Sequence, residues 1–268
     1  MADAGQETLS MRLRNGPLPL LDALRIASRI SEVLAELHTT KIIHRDVAPQ
    51  NIIVDVETVD SSLIDLELAI AMAADGTADA DASAVGTLHF MAPEQSGRMH
   101  RRVDARSDLY SLGAVLYTMI AGDVPFPFND VAEILHAHAA KHARRLRTID
   151  STVPQIVEDV VDTLLRKDPD DRYQRASDLT DDLRSIIDAL SSGQPLPRQR
   201  HKGGRRRFVI PTVLAGRDQE IQTITTGDTQ TSPPRLVIIT GPTGIGKSSV
   251  VRAAVHRFRS AGLRCGTG

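Results

Sequence analysis

The sequence predicts a mainly α-helical, α+β lobe over residues 1–190, a basic linker over 191–207 and the opening of an α/β domain over 208–268. Three observations carry that reading. Apolar residues recur at steps of three or four from Leu20 to Leu37, and again in two stretches late in the lobe, which is the period of helices that bury one face. Between Ile42 and Val54 a polar loop is bracketed by apolar triplets that read as short buried strands. From Arg235 an apolar strand enters a glycine-rich turn and then a helix on Val250, Val251 and Val255.

With 268 residues the chain is long enough for one sizeable core and part of a second. A net charge of -2, with 25% charged and 41% hydrophobic residues, indicates neither a nucleic-acid binder nor a disordered chain. Cys265 is the single cysteine, so no internal disulfide framework is possible and a reducing cytoplasm is expected. No apolar stretch is long enough for a membrane span, and Met1–Gly5 lacks the basic and apolar regions of an export signal.

In chain order, Met1 to Gly16 is polar with no long period. Leu20, Leu24, Ala27, Ile30, Leu34 and Leu37 then line one face of a helix from about Leu20 to His38, with His38 and Lys41 at its end as charges suited to the helix dipole. The next segment reads Ile42-Ile-His-Arg-Asp-Val-Ala-Pro-Gln-Asn-Ile-Ile-Val54. It resembles the catalytic loop of protein kinases, although His-Arg-Asp taken alone also fits an ordinary turn. The resemblance implies that Asp46, preceded by His44 and Arg45, accepts the substrate hydroxyl proton, and that Asn51 holds magnesium.

Further segments extend the likeness in order. Ile64-Asp65-Leu66-Glu67 stands where kinases carry Asp-Phe-Gly, which implies Asp65 as the second magnesium ligand, Leu66 as an apolar anchor and Glu67 as a restraint on switching. A half-buried strand ending in an acidic turn is the plainer reading. Met72 to Ala84 reads as a surface loop corresponding to an activation segment, with Thr77, Ser83 and Thr87 as candidate phosphorylation sites opposite Arg45, Thr87 reading better as a structural contact to the catalytic loop. It closes on Ala92-Pro93-Glu94, and the resemblance implies an ion pair from Glu94 to Arg172, which otherwise reads as a solvated charge. Ser107 to Gly122 is apolar on nearly every face and is expected to be a buried helix, with Gly122 as its stop. By resemblance Asp108 holds the backbone of the catalytic loop; Ser107 or Asp108 also reads as a plain N-cap.

After Asp130 a helix carries His136 and His138, and His142 follows, but His136 and His138 point roughly 200° apart, which argues against a metal site. Two amphipathic helices, on Ile156 to Leu165 and Leu179 to Leu190, close the lobe. The basic run Arg198 to Arg207 lacks interleaved aromatics and reads as solvated linker. Phe208 to Ile221 resembles the segment opening an AAA-type ATPase domain. Gly241-Pro-Thr-Gly244-Ile-Gly246-Lys247-Ser248 is a P-loop: its glycines let backbone N–H groups cradle phosphates, Lys247 reaches the outer phosphates and Ser248 offers a hydroxyl to magnesium.

The resemblance covers about Leu9 to Leu190 for the C-terminal lobe of a serine/threonine protein kinase and Phe208 to Gly268 for the start of a P-loop ATPase domain, as in bacterial multidomain kinase, ATPase and sensor hybrids. It implies ATP and magnesium as cofactors, a protein serine or threonine as acceptor, and downstream sensor or signalling domains. Two departures bear on activity: Ala48 stands where such kinases carry a phosphate-contacting lysine, and Gln50 does not relocate the charge. The alternatives are a pseudokinase-like regulatory scaffold attached to a signalling ATPase, or a regulatory ATPase with a vestigial kinase part. The residues ahead of His44 hold neither a glycine-rich loop nor a strand lysine, so the N-terminal lobe is expected to be absent and this chain by itself to transfer no phosphate.

Overall fold

The computed structural model describes residues 6–55, 58–66, 69–71, 85–97 and 101–199, and beyond these only 222, 240, 250, 251, 254, 255 and 258. The chain divides into two compact units, Met1–Arg206 and Arg207–Gly268. The P-loop residues Gly241, Gly244, Gly246, Lys247 and Ser248, together with Glu67, Thr77 and Ser83, lie outside the described residues. No helix among the described residues is long and apolar enough to cross a membrane.

The first unit is helix-rich with two small antiparallel sheets. Strand β1 (Gln6–Thr8) pairs with β3 (Ile52–Asp55), which pairs with β4 (Ser61–Leu63); β2 (Ile42–Ile43) pairs with β5 (Ile70–Ala71). The pairs β2–β5 and β3–β4 grip the loop between Ile43 and Ile52 from its two ends, in registers such as Ile43 opposite Ile70 and Ile52 opposite Leu63. The strand β1 and the short helix α1 (Leu9–Leu13) fall in a stretch expected to lack period. Two short-range signals explain them. Thr8 caps α1 by accepting from the Met11 N–H at 3.2 Å, and Leu9 buries its side chain in the core. Three residues of strand carry no alternation of their own; their partner strand lies far along the chain, with Thr8 opposite Ile53.

Helix α2 (Leu20–Thr39) buries its apolar stripe against α4 (Ala105–Ala121) and α8 (Ala176–Ser192). Every residue of α4 from Ser107 to Met119 is buried, as its all-round apolar pattern predicts. Its cap is Asp104, which accepts from the Arg106 N–H at 2.9 Å, rather than Ser107 or Asp108; the capping residue precedes the apolar run by a full turn. Gly122, at φ 77°, ends the helix in the left-handed conformation that glycine adopts without strain. Around α4 lie α3 (Val85–Leu88), α5 (Val131–Ala140), α6 (Leu146–Ile149) and α7 (Gln155–Leu164). The segment after α8 is not wholly solvated: the Gln199 amide donates to Tyr173 Oη at 3.0 Å and to Thr163 Oγ1 at 3.2 Å.

Gly113 lets α4 and α7 meet. A Cβ at that position would stand 2.5 Å from Leu164 Cβ, an atom fixed to the α7 backbone. Alanine gains about 1 kcal/mol of helix propensity, but overpacking a rigid contact costs about 1–3 kcal/mol. Gly113→Ala is therefore expected to lower stability by up to about 2 kcal/mol, read as a lower midpoint in urea unfolding.

Candidate active site

The site is built on the loop between β2 and β3, and its scaffold is Asp108 in the first turn of α4. That carboxylate is buried; Oδ1 accepts from the Arg45 N–H at 2.8 Å and Oδ2 from the His44 N–H at 2.9 Å. His38 Nε2 meets the same Oδ2 at 2.8 Å. His38 is thus a partner of the loop's anchor as well as a residue of the helix end, a role that its own helix gives no hint of because Asp108 is 70 positions away. Lys41 adopts φ 62° where the chain leaves α2.

Asp46 follows at the tip of the loop. Its Oδ2 accepts from Asn51 Nδ2 at 2.7 Å, its carbonyl accepts from the same amide at 2.9 Å, and its own N–H donates to His44 Nδ1 at 3.3 Å. Pro49–Asn51 forms a single 310 turn, closed by the Asn51 N–H donating to Ala48 O, and this folds Asn51 back onto Asp46. The Ile64 N–H donates to Asn51 O at 2.9 Å, which sets Asp65 beside the pair. Asp65 sits at φ 69°, a left-handed conformation uncommon for a residue other than glycine.

The electrostatics mark Asp46. Burial raises its pKa above the ordinary carboxylate range, the Asn51 hydrogen bond and His44 pull it down, and the Asp65 charge raises it again. Asp46 Oδ1 is buried without a hydrogen-bond partner. An unmet acceptor of that kind costs about 1–3 kcal/mol, and it is the place where a hydroxyl proton would be received. Asn51 Nδ2 is turned to Asp46, so Asn51 Oδ1 is the amide atom that could face a cation, and Asp65 lies near enough for its charge to act on Asp46. Carboxylate and amide oxygens suit a hard divalent ion such as magnesium; among the described residues no cluster of three or more His, Cys, Asp or Glu competes for one.

The segment that faces this loop is fastened from behind. Glu94 and Arg172 form a two-point ion pair, Nη1 to Oε1 at 2.6 Å and Nη2 to Oε2 at 2.9 Å, with side chains 1% and 0% exposed. Ser107 Oγ also donates to Glu94 Oε1, and Arg172 donates to the carbonyls of Arg106, Arg166 and Lys167. Thr87 accepts from Gln50 Nε2 at 2.8 Å, and Gln95 Nε2 donates to Arg45 O at 2.7 Å. Sequence reasoning missed Gln95: with Ala92 rather than Ser or Thr at the cap, the sequence carries no capping-box signature, and only its glutamine half forms, the Ala92 N–H donating to Gln95 Oε1 at 3.0 Å.

One expectation needs correction. Leu66 is no buried anchor: it is 54% exposed, because after the left-handed Asp65 it opens a tight turn closed by the Ala69 N–H. Of the three histidines, His138 is buried in α5, where its Nδ1 meets Tyr110 Oη at 2.8 Å.

Comparison with known proteins agrees with this geometry. Residues 2–182 match the family described as protein kinase domain. A probable serine/threonine-protein kinase of Clostridium perfringens is 36% identical over 171 residues, covering 64% of this chain and 24% of the relative. The serine/threonine-protein kinase PrkC of Bacillus subtilis is 32% identical over 176 residues, 65% of this chain and 26% of the relative. For PknB of Mycobacterium leprae the figures are 33% over 181 residues, 68% and 28%. The chain thus spans about a quarter of the length of these relatives. With a family match across most of its length, and with the Asp46–Asn51 loop and the buried Glu94–Arg172 pair in one lobe, the chain belongs to the protein kinase domain family.

Proposed function

We propose that this protein transfers the γ-phosphate of ATP to a serine or threonine hydroxyl of a protein substrate. The observation that carries the reading is the unpartnered, buried Oδ1 of Asp46 next to the Asn51 amide. In this reading Asp46 accepts the hydroxyl proton as the oxygen attacks phosphorus, and its raised pKa makes it a stronger base than a solvated carboxylate. Asn51 orients Asp46 through Nδ2, and with Asp65 would hold magnesium through oxygen atoms. Magnesium, when bound, neutralises charge on the phosphates. Asp108 and His38 keep the loop rigid, so that the hydroxyl is positioned before transfer.

A second reading, a regulatory scaffold, is favoured by one observation. Ala48 is 0% exposed and packs in the core, so the place of the phosphate-contacting lysine holds a methyl group, while Gln50 is engaged by Thr87. The test is transfer of label from radiolabelled ATP to a generic basic protein by the full-length gene product. Label on serine or threonine, lost in Asn51→Ala, is the expected result; its absence in a preparation that still binds magnesium-ATP would favour the scaffold.

The glycine-rich segment of the second unit supports, as part of this proposal, a coupled P-loop ATPase domain with Gly241, Gly244, Gly246, Lys247 and Ser248 around the phosphates; a cytoplasmic setting and further sensor domains rest on the family resemblance alone. Lys247→Ala is expected to abolish nucleotide binding by that domain while the lobe keeps its own thermal transition. Loss of the lobe's transition in the variant would contradict the independence of the two parts.

A further inference from the structure

We infer that Gln95 is a positioning residue of the phosphoryl-transfer loop, acting through the peptide that joins Arg45 to Asp46. Arg45 sits at φ 69°. A residue other than glycine in that conformation is strained and persists only where its surroundings hold it. The peptide plane ahead of Arg45 is held by Asp108, which accepts from the Arg45 N–H at 2.8 Å. The plane after it, whose tilt sets the direction in which the Asp46 side chain leaves the loop, has two bonds. One is the long contact from the Asp46 N–H to His44 Nδ1 at 3.3 Å; the other is the 2.7 Å bond that Arg45 O accepts from Gln95 Nε2. Gln95 therefore supplies the shorter of the two restraints on the plane that aims the base.

The amide is itself fixed. Gln95 Oε1 accepts from the Ala92 N–H at 3.0 Å, so Nε2 must face Arg45; reversing the amide would set an N–H against an N–H and an oxygen against a carbonyl. Gln95 also follows Glu94, whose carboxylate is locked to Arg172 in the core. The short 310 turn Pro93–Ser96 is thereby rigid, and the loop reads the position of the segment that ends in it. A second glutamine amide, Gln50 to Thr87, joins the same two segments from the other side. Both tethers are neutral, so they hold at any charge state of the segment.

The consequence for transfer rests on the kinase reading, whereas the effect on the loop does not, and the experiment separates them. Gln95→Met keeps the length and removes both bonds; Gln95→Glu keeps the acceptor for Ala92 and removes the donor to Arg45. Hydrogen exchange by mass spectrometry on this chain is expected to show His44–Asn51 exchanging roughly tenfold faster in both variants, the effect of about one lost hydrogen bond on local opening. Phe90–Ser96 should loosen in Gln95→Met alone. In the full-length product kcat should fall about tenfold in both variants with KM for ATP unchanged. If His44–Asn51 keeps its protection in Gln95→Met, or if Gln95→Glu behaves as the parent in that loop, Gln95 only closes its own turn and the inference is overturned. A uniform rise in exchange across the whole lobe also overturns it. If the loop loosens while no form transfers phosphate, the positioning role stands and the kinase reading fails.

Discussion

Replacing Arg172 by alanine is expected to destabilise the lobe by about 3–5 kcal/mol, the cost of leaving a buried carboxylate without its partner. The magnitude follows from the surroundings. Glu94 is 2% exposed and Arg172 0%, the guanidinium makes two bonds to the carboxylate, and the carbonyls of Arg106, Arg166 and Lys167 accept from it as well. An exposed pair would be worth at most about 1 kcal/mol. Since a domain of this kind has only about 5–15 kcal/mol of stability, the variant should unfold at much lower urea. Arg172→Lys should recover little, because an ammonium cannot span both oxygens or reach the three carbonyls. The double change Glu94→Leu with Arg172→Met should recover part of the loss by removing the stranded charge. A fall below about 1 kcal/mol in Arg172→Ala would mean that water reaches the pair.

Asp46→Asn is expected to act in opposite directions on rate and on stability. Removing the base should lower transfer by about 10²–10⁴-fold. Stability should rise. Asp46 has a raised pKa in the folded lobe, so the folded state binds the proton more tightly than the unfolded one, and its ionised form weakens the fold. That penalty is present above the folded pKa and fades as the pH falls through it toward the ordinary carboxylate range. Asparagine removes it, because the Asn51 amide can still donate to a carbonyl oxygen at position 46 while the unmet charge is gone. Thermal unfolding of parent and variant should therefore differ at neutral pH, with the variant higher, and converge on acidification. The parent's rate should fall over the same range as Asp46 takes up its proton. A variant less stable than the parent at neutral pH would show that burial does not dominate at Asp46.

Helices α2, α4, α7 and α8 were legible because each carries enough apolar residues at a regular step to state its buried face locally. The contact of Asp46 with Asn51 is equally local, since only four residues lie between them and the 310 turn Pro49–Asn51 folds the loop back. The Glu94–Arg172 and Asp108 contacts came from resemblance to a family; their residue spacing alone left solvated charges and N-caps as open readings. Strand β1, the exposure of Leu66, the bond from His38 to Asp108 and the grip of Gln95 on Arg45 had no such local statement. The reason is physical. Periodicity and capping are properties of neighbours in sequence, whereas a buried carboxylate chooses its donors from whatever the packed helices bring within about 3 Å. The amino-acid sequence by itself determined the helices and the bracketed loop, whose proposed chemistry came from family resemblance; only the tertiary structure decided which backbone peptides are clamped, by which side chains, and hence where Asp46 is aimed.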